Sequence, residues 1–76
     1  MAGDPVSWKV VERGWQVLGQ SGEELGTVEA VLGDLDADIF HGLMVAHGLL
    51  GRTKEVPAER VSEIREGEVV LEGETL

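Results

Sequence analysis

The sequence has no cysteine and no tyrosine, and it holds only two prolines, two tryptophans and one phenylalanine. Without cysteine there are no disulfides, no thiolate chemistry and no cysteine-ligated zinc or iron–sulfur centre. A 76-residue chain then depends on side-chain packing, with self-association as the available supplement. Basic residues are scarce as well: six against 15 acidic ones, a formal charge of −9. Such a surface repels phosphate backbones and anionic lipid, so neither nucleic acid nor membrane is expected as a direct partner. No run approaches the roughly 20 apolar residues that span a bilayer. Met1 to Ser7 lacks the positive start and apolar run of a signal peptide, and a cytoplasmic location is the expectation.

What is present is a hydrophobic share of 42 % and 11 glycines spread from Gly3 to Gly73. Glycines so dispersed read as punctuation between short strands, and the expectation is one all-β domain. Residues 1–13 form a lead-in and residues 14–76 the domain. In the lead-in, Asp4-Pro5 suits a helix start, whereas Val6, Trp8 and Val10 alternate as in a strand, and both readings stay open. Alternation over Trp15-Gln16-Val17, reversal at Gln20-Ser21-Gly22-Glu23 and alternation again from Leu25 to Leu32 predict a hairpin, with Val28, Ala30 and Leu32 on the core side and a bulge at Gly26. After the acidic turn Gly33 to Asp38, Ile39 to His47 is apolar on both faces, the pattern of a central strand. A loop at Gly48-Leu49-Leu50-Gly51, a polar strand ended by Pro57, one helical or 3-10 turn at Ala58 to Val61, and a hairpin turning at Glu66-Gly67 complete about five to six short strands.

These segments resemble the PRC-barrel family, which includes the barrel of the photosynthetic reaction-centre H subunit and the C-terminal domain of the ribosome maturation factor family. The resemblance is carried by Gly14-Trp15-Gln16-Val17, Ser21-Gly22-Glu23-Glu24-Leu25-Gly26-Thr27-Val28, Ala37 to Val45, Gly48-Leu49-Leu50-Gly51, Val56-Pro57-Ala58-Glu59-Arg60-Val61, and Ile64 with Val69 to Leu71. It implies a small barrel of six strands without a shared catalytic centre, used to dock onto larger assemblies.

Catalytic, cofactor and metal sites find no support in the residues. Asp34, Asp36 and Asp38 alternate as calcium-loop ligands do, but the glycine and the distant bidentate glutamate of that loop are missing. His41 and His47 would lie about 20 Å apart on a strand, too far to share an ion. No serine has a nucleophile-elbow context and no glycine run is a P-loop. Arg52, Lys54, Arg60 and Arg65 are expected to pair with Glu55, Glu59, Glu63 and Glu66.

The remaining signal is apolar. Trp15 is assigned to the core, whereas Trp8, Ile39, Phe40, Leu49 and Leu50 are the candidate interaction surface. The expected function is a non-catalytic protein-interaction module, without cofactor, that binds a protein partner and forms a two-fold homodimer through the Ile39 to Leu50 region and Trp8. Two other readings remain: an assembly factor acting on a ribonucleoprotein particle through a ribosomal protein, and a small-ligand, metal or pH sensor.

Overall fold

In the computed structural model, which describes residues 7–76, the chain forms six strands and two 3-10 turns. The strands are β1 (Gln16–Leu18), β2 (Glu24–Asp34), β3 (Ile39–His47), β4 (Arg52–Pro57), β5 (Val61–Arg65) and β6 (Glu68–Leu71). They make one mixed sheet in the order β4-β3-β2-β1-β6-β5, the all-β barrel-type architecture expected. The 3-10 turns are Trp8–Val10 and Ala58–Arg60, so there are two such turns, not one. The first resolves the lead-in from Ser7 onward: the Ser7 side chain caps it by accepting from the Lys9 N–H. The Asp4-Pro5 helix start lies outside the described residues.

Every ladder but one is antiparallel between chain neighbours, as short glycine turns dictate. Gly67, with φ of 87°, supplies the left-handed turn between β5 and β6. The exception is β1, which pairs antiparallel with β2 and parallel with β6, Val17 opposite Val69. The first and last strands thus meet in the middle of the sheet. Alternate side chains point inward, and Val17, Val28, Leu43, Val45, Val56, Val69 and Leu71 are fully buried, with Val11 beside them. Trp15 packs against this cluster as expected.

Bulges interrupt the simple alternation. The β1–β2 register skips Leu25, next to the expected Gly26, where an added Cβ would strike the Ala46 carbonyl and the Val45 side chain. The β2–β3 register skips Glu29, with Val28 opposite Val45 but Ala30 opposite Met44. That extra residue reverses the inward parity: Ala30 is exposed, and Val31 is the residue packed on the core. The expected inward set of Val28, Ala30 and Leu32 therefore holds only for Val28 as a buried position. Arg13 holds the displaced Glu29 by a 2.9 Å ion pair.

Charged residues brace the ends of the sheet. The Arg60 guanidinium donates to the carbonyls of Leu76, Glu72 and Thr75 at 2.9, 2.7 and 2.6 Å, tying the tail back while Leu76 packs on the core. Glu74 accepts from the Ser21 N–H and hydroxyl. Arg65 pairs with Glu63 and Glu68; the Glu63 hydrogen bond, then both carboxylates' charge, outweighs desolvation and raises its pKa. The pairing expected for the other basic residues is different in the structure. Arg60 binds carbonyls, and Arg52 and Lys54 form no ion pair among the described residues.

Val45→Asp places a carboxylate where no buried polar partner exists among the described residues, at a cost expected to exceed about 4 kcal/mol; urea unfolding should show the variant largely unfolded in buffer. Arg60→Ala removes three charge-assisted bonds to carbonyls that water can rehydrate. A loss of about 1–2 kcal/mol is expected, read as a lower urea midpoint, with faster amide exchange in β6.

Candidate functional site

Asp34 and Asp38 shape the turn between β2 and β3. The Asp34 carboxylate accepts from the N–H groups of Asp36 and Ala37 at 3.0 and 3.1 Å, closing the turn on itself. Asp38 takes φ of 56°, a left-handed conformation that short polar side chains tolerate best among non-glycine residues. There its carboxylate accepts from the Trp8 indole N–H at 3.1 Å and lies 3.6 Å from the Lys9 ammonium. The acidic turn is thus an anchor for the lead-in segment. Among the described residues no group of three or more histidines and carboxylates is placed to hold a metal ion.

Trp8, so anchored, stacks on Phe40 with ring centroids 5.3 Å apart and planes inclined by 17°. Gly33 is the strand partner of Phe40, and a Cβ there would come within 3.0 Å of Trp8 Cη2 and Cζ3. A bare backbone at Gly33 lets the indole lie across the sheet. Both rings are only half-buried. With Ala58, Val61, Ser62, Glu63 and Ile64 they line an open groove of about 590 Å³, between the start of β3 and the β5 edge strand. A half-covered aromatic pair, Phe40 on β3 and Trp8 on the first 3-10 turn, facing such a groove suits an inserted apolar group, with the large flat contact area typical of binding anchors.

The candidate residues do not form one surface. Trp8 and Phe40 stack. Ile39, next on the strand and exposed, alternates to the other side from Phe40. Leu49 and Leu50 lie beyond the opposite end of β3, with relative exposures of 105 and 84 %. Beneath them is a second, more polar hollow of about 410 Å³ lined in part by Leu25, Thr27, Ala46 and His47. His41 and His47 are at opposite ends of β3. Sequence reasoning missed Ala58, Val61, Ser62 and Ile64 as groove residues; a Val-x-x-Ile strand gives no sign of which aromatic ring it will face.

One family model, PRC-barrel domain, matches residues 13–74, a span that holds all six strands. The chain belongs to the PRC-barrel family. No curated protein matches it. PRC-barrel domains are in general non-catalytic, and membership suggests a small interaction module. Among the described residues no helix is long and apolar enough to cross a membrane.

Asp38 supplies a direct check on the aromatic site. In a Trp15→Phe background, which leaves Trp8 as the single tryptophan, Asp38→Asn keeps both the indole acceptor and the left-handed preference. Asp38→Ala loses both, at about 1 kcal/mol. Trp8 emission is expected to move to longer wavelength in the alanine variant and to stay in place in the asparagine one.

Proposed function

We propose that this PRC-barrel domain is a non-catalytic protein-interaction module whose docking site is the Trp8–Phe40 groove, and that self-association belongs to its behaviour. The observation that supports this is the aromatic pair itself. It is held by the ring stack and an Asp38 hydrogen bond, yet left half open over apolar Val61 and Ile64. Glu59 and Asp36 are exposed nearby in sequence to its walls, and Glu63 lines it. The ligand these features favour is an apolar protein segment flanked by basic residues. Basic proteins include ribosomal proteins, so assembly onto a ribonucleoprotein through one of them is the second reading, favoured by the −9 charge. A cytoplasmic setting accords with both.

Photo-crosslinking tests the groove. A photoreactive residue at Ser62, with a control at exposed Glu23 on the far hairpin, is irradiated in native extract with and without nuclease. A discrete protein adduct is expected from position 62 only, competed by unlabelled domain and lost in Trp8→Ala/Phe40→Ala. Equal adducts from both positions, or adducts indifferent to the aromatic substitutions, would overturn the assignment. Loss of the adduct with nuclease would favour the ribonucleoprotein reading.

A further inference from the structure

We infer that the Leu49-Leu50 tip of one copy docks into the Trp8–Phe40 groove of a second copy, so that self-association joins two different surfaces of the chain. This deepens the interaction-module reading and rests on it.

The tip is built to project. Gly48 and Gly51 have φ of 76° and 63°, and a Cβ at either would meet nothing within 4 Å. Backbone handedness, not crowding, therefore requires glycine there. The Gly51 N–H bonds the Gly48 carbonyl at 3.2 Å, closing a tight turn that holds both leucines in water. Two adjacent leucines so exposed are an unfavourable surface for an isolated domain, at roughly 25 cal/mol per Å² of apolar area.

The tip cannot fill the groove of its own chain. Phe40 and His47 are seven residues apart on one strand, about 23 Å at ~3.3 Å per residue, and β3 is fixed by ladders on both sides. A second copy offers the same groove without that restriction.

Charge selects the same pairing. Lys9 is paired with Asp38, Arg13 with Glu29, Arg65 with Glu63 and Glu68, and Arg60 is bound to carbonyls. Among the described residues only Arg52 and Lys54 remain with neither an ion pair nor a carbonyl partner, and both follow the tip in sequence. The tip is therefore an apolar knob with a cationic collar on an otherwise acidic chain. The segments that border the groove carry Asp36 and Glu59, both exposed and in no ion pair among the described residues, while Glu63 in its wall and Asp38 are already matched by Arg65 and Lys9. At physiological salt, charges more than about 8 Å apart are largely screened, so this local attraction persists while repulsion between two −9 chains fades. Reciprocal exchange, each tip in the other's groove, closes as a two-fold dimer; one-way docking grows into chains.

Complementation by two defective variants tests the inference. Leu49→Asp/Leu50→Asp disables the tip, and Ser62→Arg, at an exposed groove position left out of the β5–β6 register, repels the collar. Circular dichroism and urea unfolding first establish that both retain the sheet. By sedimentation over a concentration and salt series, the unsubstituted domain is expected to associate, and each variant alone to associate more than about tenfold more weakly. Their equimolar mixture should form a heterodimer through the one intact tip and one intact groove. In a Trp15→Phe background, Trp8 emission should shift to shorter wavelength as the protein associates, and only where an intact tip is present. A mixture that stays monomeric while the unsubstituted domain dimerises would overturn the inference in favour of like surfaces meeting. So would an unsubstituted domain that is monomeric throughout, including one whose tip instead binds vesicles of phosphatidylcholine and phosphatidylserine. If the Ser62 crosslink to a different protein persists in that case, the interaction-module reading stands and only the self-docking fails.

Discussion

The parallel ladder between β1 and β6 is the constraint on which the rest of this domain depends. Each of its neighbours is a local structure: β2, β3 and β4 form a meander, and β5 with β6 a hairpin. Neither encloses a core by itself, because a two- or three-stranded sheet leaves one face wet. Three residues of β1 join the two, with Val17 opposite Val69 at their centre. Both valines have no solvent exposure. Once that ladder forms, the inward faces of meander and hairpin confront each other, and the groove between β3 and β5 comes into being as a by-product of the closure.

Much of this order was legible in the residues because it rests on local rules. The Val69-containing hairpin follows from Glu66-Gly67 and the 3-10 turn from Pro57 and its successors, whereas the apolar run Ile39 to His47 is a strand that lies beside the edge strand β4 instead of at the centre, with Leu43 and Val45 its fully buried side chains. What could not be read came from nonlocal geometry. Glu29 has nothing about it that announces an extra residue in a strand, yet its omission from the register turns Ala30 to solvent and Val31 to the core. The partnership of Trp8 with Phe40 and Asp38 reaches across all of β1 and β2 in sequence and depends on Gly33 having no side chain. The candidate surface was legible as a set of residues, but not its division between the two ends of β3.

Electrostatics in this chain is mostly short-range repair. An excess of nine negative charges would ordinarily leave each cation several acidic suitors, but Arg60 spends its donors on backbone carbonyls and Arg13 on a bulge. Exposed pairs such as Arg13–Glu29 stabilise by no more than about 1 kcal/mol. Their effect is positional: they fix where the tail, the lead-in and the displaced residue lie, and thereby the walls of the groove.

The composition of β4 carries a consequence beyond binding. Its neighbour β3 contains Leu43-Met44-Val45-Ala46, an uncharged stretch of the kind that stacks into cross-β fibrils when its edge is bare. In the folded sheet that edge is sealed by β4, an outer strand carrying Arg52, Lys54, Glu55 and a terminal Pro57. Charge and a missing N–H make such a strand a poor template for further addition. Detachment of these six residues would bare the β3 edge without unfolding the rest of the sheet, so fraying at β4 is a local event that uncovers a template for strand addition.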